Sequence, residues 1–343
     1  MARGDGDLGN VVEGGSHMET RDLGRTGRRV GVIGLGAWQL GADWGQVDEA
    51  DAFATLHAAV EAGVTFIDTA DVYGDGRSEQ FVGRFLREAG VPLTVATKMG
   101  RRVAQEPENY SAENFLAWND RSLSNLGVER IDLVQLHCPP DPVFADDRVF
   151  DALDALVERG RIGAYGVSVE TCAQALAAIA RPNLASVQII LNAFRFKPLD
   201  QVLPAARAAG VGIIARVPLA SGLLSGRYTA ETKFAADDHR AFNRHGEAFD
   251  VGETFSGVDY ATGLEAVERL RPLVPEDVTL AQFALRWIAD QDAVSVVIPG
   301  ARNPEQARAN AAAGSLPRLS PATHQAVSAV YDELIRPLVH DRW

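Results

Sequence analysis

Four polar side chains stand at or just past the ends of short apolar or β-branched runs. They are Asp68 after Thr65 to Ile67, Tyr73 one short turn further on, Lys98 after Leu93 to Thr97, and His137 after Ile131 to Leu136. A tyrosine with an ordinary pKa of about 10 is a poor proton donor near neutrality, but an adjacent ammonium favours the phenolate and lowers that value. Lys98 can supply the charge. It would keep its own proton in a desolvated site only if a carboxylate opposed the loss, and Asp68 is available for that. His137 can hold or polarise a carbonyl oxygen. The set suits a reaction that adds hydride to carbon and a proton to oxygen, with Tyr73 as general acid. Singly, each residue has a plainer explanation: a turn aspartate, a packed tyrosine or lysine, a hydrogen-bonded histidine. Their succession at three consecutive run ends favours joint action.

What must position them is an alternation of strands and helices. Eight runs read as strands: Val30 to Gly34, Thr65 to Asp68, Leu93 to Thr97, Ile131 to Leu136, Ala164 to Ser168, Ser186 to Ile190, Gly212 to Arg216 and Val294 to Ile298. Helical patterns fall between them over Asp48 to Ala62, Ser78 to Ala89, Ser111 to Leu126, Asp147 to Arg159, Thr171 to Ile179, Leu199 to Ala209 and Thr279 to Asp290, with an eighth from about Pro304. Gly63, Gly90, Gly127, Gly160 and Gly210 follow five of them as stop residues. Eight strands alternating with helices predict an α/β fold, a TIM-type (β/α)8 barrel, whose reacting groups lie at the C-terminal strand ends. Three additions are expected: a β-hairpin within Arg21 to Arg29 closing the barrel bottom, a long lid-like segment from Leu219 to about Asp259 after the seventh strand, and a tail helix from Pro321 to about Leu338.

The chain has 343 residues, 46 acidic against 33 basic, and a formal charge of −13. That balance repels a polyphosphate backbone and an anionic bilayer, so neither nucleic acid nor membrane is expected as a partner. Apolar runs such as Val211 to Val217 are too short for a membrane span. Two cysteines, Cys138 and Cys172, are too few for a disulfide framework and fit a reducing cytoplasm. No Cys or His pair has metal-ligand spacing, and no metal is expected. Residues 1–17 are Gly-rich and run into Gly15-Ser-His-Met18, which reads as an expression tag ahead of a single domain over 18–343. Gly34-Leu-Gly36 follows a strand, but Gln39 takes the last glycine's place and no ribose-binding acid follows, so a dinucleotide fingerprint fails.

The segments FIDTADVYG (Phe66 to Gly74), ATK (Ala96 to Lys98), DLVQLH (Asp132 to His137) and GAYGVS (Gly163 to Ser168) resemble the aldo-keto reductase family, in family order, over about Leu23 to Asn310. The resemblance implies a tetrad of Asp68, Tyr73, Lys98 and His137 and a nicotinamide cofactor. It puts Ser168 and Gln188 at the nicotinamide amide and Arg216 at the ring-stacking position, which is aromatic in the family; Val169 stands where the family commonly has Asn. Pro218 to Arg227 resembles the loop that wraps the pyrophosphate, through Leu219, Ser221, Leu223, Ser225 and Arg227. Gly300, Arg302, Gln306 and Asn310 resemble the adenosine-phosphate site. That site departs from the common pattern, because Gly300 and Ala301 replace a Lys-Ser pair and Gln306 an Arg. Arg302 is the cation left for a 2′-phosphate, so NADPH is expected, with NADH use open.

A carbonyl substrate would enter between Trp38, Tyr73 and His137. The loops Gly41 to Gln46, Arg101 to Asn109 and Pro139 to Asp147 and the segment after Leu219 would shape its pocket. Arg101, Arg102 and Arg240 hint at a polar or anionic substrate group, but solvated surface arginines explain them better. The resemblance extends to potassium-channel β-subunits, so a nucleotide-sensing or partner-binding role stands beside the enzyme. An enzyme working mainly toward oxidation of an alcohol or sugar is the third reading. Substrate identity and oligomeric state are open.

Overall fold

The computed structural model describes residues 17–41, 48–236 and 238–343. The proposed tag, apart from His17, and most of the Gly41 to Gln46 loop lie outside them. The chain first forms a hairpin in which β1 (Thr20–Asp22) pairs antiparallel with β2 (Arg29–Gly31). Eight parallel strands follow, each hydrogen-bonded to the next: β3 (Leu35–Gly36), β4 (Phe66–Asp68), β5 (Thr94–Met99), β6 (Ile131–His137), β7 (Ile162–Ser168), β8 (Ser186–Ile190), β9 (Gly212–Arg216) and β10 (Val294–Val297). Parallel bridges from Ile33 to Val297 and from Gly36 to Gly300 close the ring, with Gly34 N–H donating to Val297 O at 2.8 Å.

The first expected strand is corrected. Val30 belongs to the hairpin, in register with Arg21, and the barrel strand is Leu35–Gly36. One apolar run could not show this, because its two halves have different partners: β1 for Val30, and β10 for Ile33.

Inward residues repeat every second position. Phe66, Ala96, Leu133, Ala164, Ile214 and Val296 form a separate apolar cluster inside the lower barrel, joined by Leu23 and Val30 of the hairpin. The hairpin thus plugs the bottom. Gly166, on the same inner face of β7, is required there, since a Cβ would strike the Ser186 hydroxyl and carbonyl on the neighbouring strand.

The helices lie outside, with their apolar stripes in one continuous core against the strands' outer faces. Their starts follow capping chemistry: Asp48 caps Glu49–Glu61, Ser111 caps Ala112–Leu126, and Thr171 with Gln174 and Thr279 with Gln282 form capping boxes before Cys172–Ile179 and Leu280–Ala289. The pattern over Leu199 to Ala209 divides at Gln201 into Lys197–Asp200 and Val202–Ala209. A helix at Tyr260–Leu270, capped by Asp259, was not anticipated in the gap after the long segment. The tail runs Pro321–Val330, a π turn at Tyr331–Ile335, then Arg336–Val339. Pro337 lacks the N–H that an α turn would need there. Beyond it, the Trp343 ring lies under the Arg195 guanidinium, 3.6 Å from its centre, and its indole N–H donates to Asp250 Oδ1 at 3.0 Å.

Candidate active site

Two residues beyond the apolar layer, the same inward positions turn polar. Phe66 is followed by Asp68, Ala96 by Lys98, Leu133 by Gln135 and then His137, and Ile214 by Arg216; on β8 Gln188 follows Ser186, which is already polar. The strand period therefore carries one face from a dry plug to a polar floor at the C-terminal mouth.

The structure brings the four expected residues together. Lys98 Nζ donates to the Asp68 carboxylate, to Thr69 O at 2.9 Å and to the Tyr73 hydroxyl at 3.4 Å. The Tyr73 and His137 rings meet edge to face, centroids 6.0 Å apart. Gly74, at φ 58°, makes the turn after Tyr73, and any Cβ there would strike the Gly41 carbonyl. Burial works against the Lys98 charge, but Asp68 and then Tyr73 outweigh it and hold its pKa above 10.5. For Tyr73 the outcome reverses the expectation. Desolvation, with Asp68 and Glu253, outweighs the downward pull of Lys98 and leaves the value above 10.0. Burial, helped by Arg101, Lys98 and Arg216, depresses His137 well below 6.5, so its imidazole is neutral at neutral pH.

Asp68 is more heavily served than the sequence suggested. Gln135 Nε2 donates to its Oδ2 at 3.0 Å and Gln188 Nε2 at 2.8 Å, and the two glutamines are themselves linked at 3.1 Å. Gln135 was missed, although a glutamine two residues before His137, and so on the same strand face, was the available signal. Gln188, expected at a cofactor amide, has its amide nitrogen turned to this floor. Asp71, in the same turn as Tyr73, is fully buried, and burial followed by Glu79 pushes its pKa up to about 7.

On the other side of the mouth Ser168 ends β7, buried, and accepts from the Cys138 thiol at 3.6 Å. Burial and Glu170 push that thiol up to about 12, so it stays protonated. Arg216 ends β9, donating to Val169 O and Glu170 Oε2, each at 2.9 Å, and to Glu253. Glu170 and Glu253 were not singled out from sequence. Nδ1 of His137 and Nε of Arg216 are buried without a hydrogen-bond partner.

Such orphaned polar atoms at one rim fit a bound polar ligand, and the neighbouring loop fits a phosphate-bearing one. After β9 the chain turns through Val217, Ala220, Ser221 and Gly222 with positive φ, a backbone that wraps tightly. Leu219 and Ser225 are half-buried, Leu223 is buried and Arg227 exposed. Arg302 lies exposed beside the start of helix Pro304–Ala312, whose N-terminus is capped by Asn303; Gln306 Oε1 accepts from Arg302 N, and Asn310 Nδ2 donates to Gly300 O.

Trp38 stacks on Tyr73 at 6.1 Å and meets His239 at 5.6 Å and Phe249 at 6.5 Å, so the long segment after β9 supplies an aromatic wall that sequence did not assign. The three rim arginines are all paired: Arg240 is buried and Arg101 half-buried, while Arg102 is exposed. Arg101 pairs with Glu170 at 3.5 Å, Arg102 with Asp75 at 2.8 Å, and Arg240 with Asp238 while lying over Phe234. Among the described residues no group of His, Cys, Asp or Glu is arranged to hold a metal, and no helix is long and apolar enough to cross a membrane.

A model of the aldo/keto reductase family matches residues 32–332. The aldo-keto reductase YhdN of Bacillus subtilis is 31% identical over 85% of this chain and 87% of its own length. A probable voltage-gated potassium channel subunit beta of Oryza sativa is 29% identical over 91% of this chain and 96% of its own. The solved glycerol dehydrogenase of Gluconobacter oxydans superposes with a TM-score of 0.76 at 29% identity, covering 94% of this chain and 97% of that one.

Proposed function

This chain belongs to the aldo/keto reductase family, and from that premise we propose that it is an NADPH-dependent reductase of aldehydes and ketones. The supporting observation is the chain from buried Asp68 and Lys98 to the hydroxyl of half-buried Tyr73, with His137 edge-on to the same ring. When bound, the nicotinamide supplies hydride to the carbonyl carbon. Tyr73 gives the proton to the carbonyl oxygen. Its raised pKa keeps the phenol protonated at rest, and Lys98 stabilises the phenolate left after transfer. Asp68, held by Gln135 and Gln188, keeps Lys98 charged and in place. Neutral His137 orients the carbonyl oxygen by hydrogen bonding, and Trp38 walls the substrate site. In the oxidative direction the same phenolate takes the proton from an alcohol.

Ser168, Gln188 and Arg216 would hold the nicotinamide. Leu219, Ser221, Leu223, Ser225 and Arg227 would hold the pyrophosphate, and Gly300, Arg302, Gln306 and Asn310 the adenosine phosphate. Arg302 is the cation that favours NADPH over NADH. Residues 18–343 act as one unit in a reducing cytoplasm, with 1–17 as a tag.

The test is fluorescence titration with NADPH and NADH, followed by cofactor absorbance with aromatic aldehydes, dicarbonyls and sugar-derived ketones. Turnover in the wild type should fall by at least about 10²-fold in Tyr73→Phe, with NADPH binding kept. Near wild-type turnover in that variant would refute the assignment. The likeness to the rice channel subunit favours one second reading, a nucleotide sensor; tight NADPH binding without turnover of any carbonyl would select it.

A further inference from the structure

Four charged side chains, from the segments after β5 and β7, the end of β9 and the segment beyond it, form a continuous line at the mouth. Arg101 Nη2 lies 3.5 Å from Glu170 Oε1, Glu170 Oε2 lies 2.9 Å from Arg216 Nη2, and Arg216 Nη1 donates to Glu253 Oε1. Two cations and two anions leave the line neutral in sum. Glu253 comes from a segment far along the chain, and its place is fixed by its neighbours. Ser221 Oγ donates to Glu253 O at 2.8 Å and accepts from Phe255 N at 3.0 Å. Asn192 Nδ2 donates to Ser256 Oγ at 2.8 Å, and Arg195 Nη2 to Ser256 O at 3.1 Å. Asp250 Oδ1 accepts from both Gly252 N at 2.7 Å and Trp343 Nε1 at 3.0 Å.

Phe255 and Ser256 are consecutive non-glycine residues with φ of 53° and 58°. Such a pair persists only where its surroundings over-determine it. The strap Asp250 to Gly257 therefore delivers one carboxylate to one guanidinium.

That guanidinium belongs to Arg216, the residue assigned to the nicotinamide ring. An oxidised nicotinamide ring is cationic, and a reduced one is neutral. Without the Glu253 carboxylate the line would carry one net positive charge and repel the first and not the second, whereas the intact neutral line penalises neither. Resting on that cofactor reading, we propose that Glu253, acting through Arg216, sets the ratio of affinities for the oxidised and reduced cofactor, as a positioning and charge-balancing residue.

The test titrates wild type, Glu253→Gln and Glu253→Asp with NADP+ and with NADPH at pH 8, following protein fluorescence. In Glu253→Gln the Kd for NADP+ should rise about tenfold more than that for NADPH, as expected for one unit charge roughly 12 Å away at an effective dielectric of about 20. Glu253→Asp should restore the ratio to within about twofold. If both Kd values rise together in Glu253→Gln and the ratio holds, Glu253 only anchors the strap and the proposal fails. If that variant does not fold, as judged by circular dichroism, Glu170→Gln must shift the ratio in the same direction, and an unchanged ratio there overturns the proposal. A wild type that binds neither cofactor would overturn the cofactor reading itself, which separates that failure from this one.

Discussion

The mouth of the barrel holds two charged networks built in different ways. On one side Asp68, Lys98, Gln135 and Gln188 come from β4, β5, β6 and β8, and strand pleating alone brings them together. On the other, Arg216 at the end of β9 meets Glu253, 37 residues further on, through a strap tied to Asn192, Arg195, Ser221 and Trp343. The first network is as rigid as the sheet. The second is only as rigid as the contacts that hold the strap, and a barrel can vary such contacts without disturbing its strands.

Three changes would break or sharpen that contrast. The largest effect is expected from Asp68→Asn, which leaves the buried Lys98 ammonium without its counter-charge. Removing one partner of a buried pair costs about 3 to 5 kcal/mol, so chemical denaturation should show a large loss of stability together with lost turnover. An unchanged midpoint would mean that the floor is less integral to the sheet than its geometry implies.

Trp343→Ala should cost about 3 kcal/mol by opening a cavity against Gly252, Gly257 and Arg195. It should also weaken cofactor binding while leaving the Tyr73 environment intact. The readouts are thermal melting and NADPH titration. If binding were untouched while the melting temperature fell, the strap would not depend on its tie to the tail.

The smallest effect should be a change of pH dependence in Asp71→Asn. The Asp71 pKa rises from 3.8 to about 7 on folding, because burial and Glu79 disfavour its charge. A group raised in the fold supports the native state most below its unfolded value, and that support is lost as pH rises through the folded value. The wild type should therefore lose stability, of order 2 kcal/mol or more, between about pH 4 and 7, and Asp71→Asn should not. Parallel stability–pH curves for the two proteins would rule this out.

The strand-built network was largely legible in the sequence. Asp68, Lys98 and His137 each end a short apolar run, and the period of two states which face they share. The runs themselves marked seven of the barrel strands, but the first could not be divided, because apolarity does not say which of two sheets will claim Val30. Tyr73 was visible as a residue type, but the balance of its proton was not. Lys98 suggested a lowered pKa, whereas the enclosure of the hydroxyl, a property of the packed mouth, raises it. The partners of the rim arginines were not legible either, since a formal charge of −13 says nothing of which carboxylate sits beside which guanidinium.

Sequence by itself determined the alternation of strands and helices, the caps that start the helices and the polar residues carried to one end of the strands, because each depends on neighbours a few positions away. Tertiary structure alone decided that Gln135 and Gln188 would share Asp68, that Trp38 would meet His239 and Phe249, and that Glu253 would reach Arg216. Those partners are separated by tens to hundreds of residues. What unites them is the closure of the ring and the fixing of the strap against the tail, neither of which leaves a periodic trace in the chain.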